Sequence, residues 1–175
     1  MILETPRTRL RSWQPGDAPA FAAMNADPEV MRDLGGAIAR ADSDAKLGRY
    51  RASFDRDGIG RWVIESHEGE FLGYAGVMFH RDHPIGAHYD AAWRLVRQAW
   101  GCGYATEAAL AALRDAFTRI GMAEVLAYTA ADNLRSQKVM ARLRLRRDPL
   151  RDFTAKYGAN DWNGLVWVAR SELFA

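Results

Sequence analysis

The sequence predicts an α+β domain, with one mixed sheet of six or seven strands and helices on both faces. Three observations point there. Strand-like runs of large residues recur along the chain, but helix-like runs interrupt them unevenly rather than in regular βα alternation. One strand-like run, Asp90–Val96, feeds a helix-like run from Ala105 through a turn that carries Gly101 and Gly103. A chain of 175 residues, 49% of them hydrophobic, suits one domain, residues 1–175, that can bury a substantial core.

Composition excludes several classes. Net charge is +2 and no long apolar run exists, so a membrane span, a disordered acidic tail and a general nucleic-acid binder are poorly supported. The single cysteine excludes an intrachain disulfide framework. Met1-Ile2-Leu3-Glu4 does not read as the start of a signal peptide, so a cytoplasmic location is expected. Internal repeats and low-complexity segments are absent from the sequence.

The elements follow in order. Thr8 to Trp13 alternates as a strand that Pro15-Gly16 ends. Asp17 can cap a helix with Phe21 and Met24 inward, and Pro28 sits where a short second helix would begin. Ser43 is placed to cap a third helix, in which Leu47, Tyr50 and Phe54 recur at helical spacing and which Asp57-Gly58 stops. Arg61–Glu65 and Phe71–Met78 are strands joined by the hairpin turn Ser66–Glu70. Gly73 and Gly76 suit ordinary packing or a close approach of backbone or ligand. His80, His83 and His88 follow in a polar loop; no carboxylate spacing turns them into a metal site, and none is predicted. Ala123–Thr129 and Gly164–Arg170 are further strands, with a helix starting at Asp132-Asn133 between them. Asp148-Pro149 and Gly158 punctuate the stretch before the last strand. Arg142, Arg144, Arg146, Arg147 and Arg151 read first as a solvated basic face, and second as a reach toward a nucleotide phosphate.

The stretch from Asp90 to Glu107 organises the rest. A strand that enters a helix through a glycine turn offers unpaired N–H groups and a positive dipole end, which suits a phosphate or pyrophosphate. From Ala105 the apolar stripe continues through Ala109, Ala112, Ala116 and Ile120. The dinucleotide fingerprint lacks its third glycine, since Thr106 stands there, and a P-loop ending in Gly-Lys-Ser/Thr is absent. The run WRLVRQAWGCGYATEA, however, resembles the coenzyme A-binding segment of the GNAT superfamily of N-acetyltransferases. It is most similar to the branch of the ribosomal-protein N-terminal acetyltransferases. The superfamily's Gln/Arg-x-x-Gly-x-Gly/Ala pattern fits in two registers. One starts at Gln98 with Gly101 and Gly103; the preferred one starts at Trp100 with Gly103 and Ala105. Downstream, NLRSQKVMARLRL resembles the second cofactor segment, although Met140 stands where many members carry a tyrosine acid and Arg144-Leu145 replaces Gly-Phe.

The resemblance implies a mostly antiparallel sheet, a splayed central strand, and an opening strand and two helices along the acceptor side. It implies that acetyl-coenzyme A, with no metal, is held by Trp93, Arg94 and Leu95 at the strand end. Trp100, Gly101, Cys102, Gly103, Tyr104, Ala105 and Thr106 of the turn and helix start would continue the site, with Asn133 and Ser136 beyond. The backbone N–H at Leu95 would face the thioester carbonyl and Ser136 the departing thiolate. Asp90 matches a strand glutamate of the branch and is a candidate base; a salt-bridged strand carboxylate is the competing reading. Asn133 is equally well placed as a helix cap. The function expected is acetyl transfer to a primary amine, of a protein N-terminus or a small molecule, by direct attack in a ternary complex. A silent coenzyme A-binding module and a dinucleotide-binding domain compete with it. No nucleic-acid or membrane partner is expected, and a homodimer is left open.

Overall fold

The computed structural model describes residues 1–157 and 160–174. Nine strands appear among them: β1 (Ile2–Glu4), β2 (Thr8–Arg11), β3 (Arg61–Ser66), β4 (Phe71–His80), β5 (His88–Leu95), β6 (Glu124–Thr129), β7 (Arg146–Arg147), β8 (Phe153–Tyr157) and β9 (Asn160–Arg170). The helices are α1 (Ala18–Ala26), α2 (Pro28–Met31), α3 (Arg40–Asp57), α4 (Tyr104–Thr118) and α5 (Leu134–Arg142). The sheet order is β1-β2-β3-β4-β5-β6-β9-β7, with β8 on β9; every pairing is antiparallel except that of β5 with β6. The architecture is the expected α+β one, but with more strands. The additional ones are β1, β7 and β8, of three, two and five residues, too short or too weakly alternating to show a period of two. The expected punctuation at Gly158 lies outside the described residues.

Both faces of the sheet are covered. On one, the apolar stripe of α4 (Ala109, Leu113, Ala116) packs on Val77, Ala91, Val125 and Ala127, with Val139 and Met140 of α5 and Leu143 just after it alongside. On the other, Phe21, Met24, Leu47 and Tyr50 of α1 and α3 pack on Val63 and Tyr74. Alanines on α4 let the helix lie close, so α4 holds its N-terminus firmly at the end of β5.

Local sequence decides the helix ends, with two corrections. Asp27 caps α2 by accepting from Glu29 N (2.9 Å), with Pro28 at the first helical position. Ser43 does not cap α3, which begins at Arg40; it is buried and accepts from Asn25 Nδ2 at 2.9 Å, so a tertiary bond has taken the hydroxyl. Asp17 makes no side-chain cap bond to α1, because Arg11 claims both carboxylate oxygens at 2.8 Å. The end of α5 closes without glycine: Arg144 itself takes the left-handed conformation (φ 59°), and Leu145 N–H donates to Met140 O at 3.0 Å.

Gly76 marks a close approach of backbone. A Cβ there would lie 2.1 Å from Gly60 O and 2.7 Å from Arg61 Cα. The missing side chain gives room to the backbone at Gly60 and Arg61, and the Arg61 guanidinium lies across β4 toward β5.

Candidate active site

The parallel strands β5 and β6 share a single paired position, Asp90 opposite Leu126. Beyond it they separate. A cleft of about 900 Å³ follows the gap from the N-terminus of α4 to His80 and Asp90, between Ala91–Leu95 on one side and Tyr128, Thr129 and Asn133 on the other. Backbone donors face that gap. Val96 N–H donates to Leu72 O across β4 at 3.0 Å, and Leu95 lies opposite Gly73. In an antiparallel ladder these directions alternate, so the N–H groups of Leu95 and Trp93 point away from β4, toward the gap, while that of Ala91 is taken up by the pairing of Asp90 with Leu126. The Leu95 carbonyl on the same edge accepts the Trp100 indole N–H at 2.9 Å.

At the α4 end, Gly101 (φ 78°) and Gly103 (φ 85°) are both left-handed, and Gly103 is the N-cap residue. Those two glycines belong to the register that starts at Gln98. Gly103 belongs to the other register as well, and Ala105, the last position of the one starting at Trp100, stands at the start of α4 as expected. Thr106 N–H donates back to Gly103 O (3.1 Å), whereas the N–H groups of residues 101–105 have no backbone partner among the described residues. The Thr106 hydroxyl is buried, lines the cleft and lacks a partner. Free N–H groups at a dipole end beside an orphaned hydroxyl fit an anionic group such as a pyrophosphate.

The loop is braced from outside. Glu107 accepts from Thr5 Oγ1 (2.6 Å), Arg7 N (2.8 Å) and Arg7 Nε (2.8 Å), while Arg7 Nη1 donates to Cys102 O (2.7 Å). Arg135 of α5 lies 3.8 Å over the Trp100 ring. Cys102 departs from expectation: its side chain is exposed, turned toward Trp100 O at 3.6 Å, and does not line the cleft.

Trp93, Arg94, Leu95, Trp100, Gly101, Gly103, Tyr104, Ala105, Thr106, Asn133 and Ser136 all line this one cleft. Arg94, however, is no free cofactor contact. It forms a two-pronged pair with Asp33 (2.8 and 3.0 Å) and donates to Val30 O. Asn133 caps α5 by accepting from Ser136 N (3.2 Å) and donates Nδ2 to Asp33 Oδ2 (3.0 Å). The Asp33 carbonyl also accepts the Trp162 indole N–H at 2.9 Å. Burial would push the Asp33 carboxyl up, but the Arg94 hydrogen bonds and charge hold it below the ordinary range.

At the closed end sit two buried partners, Asp90 (4% exposed) and Arg61 (3%). Arg61 Nη2 donates to Asp90 Oδ1 at 2.6 Å, Nη1 to Asp90 O at 2.8 Å and also to Gly76 O. His80 Nε2 lies 2.7 Å from the same Asp90 Oδ1. Burial would raise the Asp90 carboxyl, yet the Arg61 charge and the His80 hydrogen bond hold it well below the usual carboxylate range. A carboxylate held so firmly ionised takes up a proton poorly, so Asp90 is corrected from base to salt-bridged strand residue. Beyond it on the same face lie Tyr74, Tyr50 and Lys46, with the two phenol rings 5.2 Å apart and Lys46 Nζ 5.7 Å from the Tyr74 ring centroid.

His80, Arg61 and Asp33 escaped the sequence reading. His80 ends β4 rather than lying in a loop and pairs with His88 across the ladder. The three rings pack on one another and on Tyr128 and Phe153. Among the described residues no group of three or more His, Cys, Asp or Glu is arranged to hold a metal ion.

A family model for an acetyltransferase (GNAT) domain matches residues 7–146. FsC-acetyl coenzyme A-N(2)-transacetylase of Aspergillus fumigatus is 31% identical over 126 residues, which cover 67% of this chain and 53% of that protein, about half its length. An acetyltransferase from Agrobacterium tumefaciens superposes with a TM-score of 0.82 at 26% identity, covering 97% of this chain and 94% of that one. RimJ of Mycobacterium smegmatis, in complex with CoA-disulfide, superposes with a TM-score of 0.73 at 21% identity, covering 98% and 87%.

Proposed function

Because this chain belongs to the GNAT acetyltransferase family, we propose that it transfers an acetyl group from acetyl-coenzyme A to a primary amine by direct attack, with both substrates held in the one cleft. The observation that carries the reading is the gap between β5 and β6. It joins the unpaired N–H groups at the start of α4 to the closed end at Asp90, past a row of inward backbone donors. Five residues at about 3.3 Å each separate Leu95 from Asp90, so an extended chain of roughly 17 Å fits along that edge.

When bound, acetyl-coenzyme A supplies the acyl group as an activated thioester. The residues of this chain bind and orient. N–H groups from Gly101 to Ala105 and the Thr106 hydroxyl hold the anionic end. The N–H groups of Leu95 and Trp93 offer donors to an oxygen that gains negative charge as an amine attacks. Ser136, lining the gap on α5, is placed to donate to a departing sulfur. The remaining effect is proximity, since a direct attack needs no protein nucleophile. The acceptor lies toward Tyr50, Tyr74, Trp162 and Lys46, and is either a protein N-terminus or a small-molecule amine.

Thiol release tests the reading, with acetyl-coenzyme A and a library of peptides with free N-termini, amino acids and polyamines. Release that depends on one amine class is expected. Calorimetric binding of coenzyme A without any release would favour a silent binding module instead, and binding of a dinucleotide in its place would exclude both.

A further inference from the structure

We infer that His80 is the group that takes the proton from the acceptor amine, with Asp90 and Arg61 as the buried pair that orients it. The inference rests on the acetyltransferase reading and adds to it a base that neither the motif nor the family match assigns. An amine presented as ammonium must lose a proton before its lone pair can attack, and a positioned side chain does this best. Among the cleft-lining groups at the closed end, Asp90 is already committed as an anion to Arg61 at 2.6 Å. Lys46, Arg49 and Arg61 are cations and accept nothing. Tyr50 and Tyr74 line the same end, but both phenols hold their protons at neutral pH: burial raises Tyr50 well above its ordinary value, and in Tyr74 burial is opposed by the Lys46 and Arg94 charges, which bring it down only to about 8. His80 is the neutral acceptor: it lines the cleft, its side chain is 28% exposed, and its Nε2 is 2.7 Å from Asp90 Oδ1.

The hydrogen bond also fixes which nitrogen is available. Asp90 is ionised and can only accept, so the shared proton sits on Nε2, and the neutral ring keeps its lone pair on Nδ1. Arg61 holds Asp90 in turn through its side chain and its backbone carbonyl. This is the orienting logic of a base backed by a buried carboxylate, with the carboxylate offsetting the charge that the ring gains. The other groups around His80 do not compete. His88, stacked on it from β5 at 5.6 Å, is pushed down by burial, and its Nδ1 is engaged with Gly86 O. His83, from the loop after β4, is pushed down to about 4 by burial and by the other two rings. Tyr128 faces the cluster from β6. Met78, in register with Asp90, carries no titratable group.

The step balances. The ammonium gives one proton to Nδ1, which passes it to solvent. The amine lone pair then forms the C–N bond as the C–S bond breaks with its electron pair on sulfur, and the second N–H proton ends on the thiol.

The test uses His80→Gln, whose amide N–H can still reach Asp90, together with Asp90→Asn. Turnover is measured with acetyl-coenzyme A and the best amine of the library, across pH, with coenzyme A affinity and melting followed in parallel. For His80→Gln the expected result is unchanged coenzyme A affinity and melting, turnover lower by about 10²- to 10⁴-fold, and loss of the acid-side limb of the profile. Added imidazole should restore part of the rate. Ring ¹⁵N NMR of the free protein gives a readout that needs no turnover: neutral His80 should carry its proton on Nε2 in the wild type and lose that preference in Asp90→Asn. Wild-type turnover and pH profile in His80→Gln, or a neutral His80 protonated on Nδ1, would overturn the assignment alone. A wild-type protein that binds coenzyme A and acetylates no amine would overturn the acetyltransferase reading as well.

Discussion

Replacing Arg61 by methionine removes three donors at once from a place that water does not reach. Arg61 and Asp90 are 3% and 4% exposed, and the guanidinium serves the Asp90 carboxylate, the Asp90 carbonyl and the Gly76 carbonyl. Breaking a buried pair from one side costs about 3–5 kcal/mol, because the other charge stays behind without compensation. A domain of this size stabilised by roughly 5–15 kcal/mol would lose a large fraction of its margin. At about 2–4 °C per kcal/mol, the melting temperature should fall by roughly 6–20 °C. The pH dependence carries the sign. In the wild type the Asp90 carboxyl is held below its unfolded value, so its contribution is present above the unfolded pKa, about 3.9, and is lost as pH falls through the folded value. In Arg61→Met, burial acts without the guanidinium charge and raises the carboxyl, so the folded variant gains relative stability when Asp90 is protonated. The wild-type advantage should therefore shrink between pH 7 and pH 4, as read by urea denaturation at both values. The double variant Arg61→Met/Asp90→Leu, with no stranded carboxylate, should recover much of the loss. A gap below about 1 kcal/mol at pH 7, or one unchanged at pH 4, would refute the reasoning.

Four further outcomes can be checked directly. Gly103→Val, at φ 85° with its Cβ 3.2 Å from Arg7 Nη2, should destabilise by about 1–2 kcal/mol and abolish calorimetric coenzyme A binding while the protein stays folded. Ser136→Ala should lower turnover roughly ten- to a thousandfold with little change in coenzyme affinity. Asn133→Ala should instead raise the Michaelis constant for the coenzyme and, by removing the cap of α5, lower stability by about 0.5–2 kcal/mol in a chemical melt. Cys102→Ser should retain turnover, and mass spectrometry should find no acetyl adduct, because the thiol is exposed and turned away from the cleft.

Much of the fold was legible because the governing interactions are local. Gly101 and Gly103 before the alanine stripe announce the strand–turn–helix unit, and Asp27-Pro28 announces a helix start. Arg144-Leu145 shows where a helix must close without glycine, and Arg144 does take the left-handed position at φ 59°. What the sequence concealed is set by contacts across long separations. Ser43 reads as a cap until Asn25 takes its hydroxyl. Arg94 reads as a cofactor contact until Asp33, 61 residues away, claims it. His80 reads as a loop residue because a ten-residue β4 has no local marker at its end, and its partner lies on the neighbouring strand. Gly76 signals only that a backbone comes close, and here it is that of Gly60 and Arg61.

Asp33 holds together segments that the chain keeps far apart: Arg94 at the strand end, Asn133 at the start of α5 and Trp162 on β9. A ligand that takes the Asn133 N–H now bonded to Asp33 must take it from that carboxylate, and any ligand that moves the turn around Asp33 alters what Asn133 can offer. The two sides of the cleft are consequently linked through one carboxylate. Such linkage is reciprocal: whatever factor one substrate imposes on the affinity of the other, the second imposes on the first. Dissociation constants for either substrate are then properties of the pair, to be measured both with and without the companion bound.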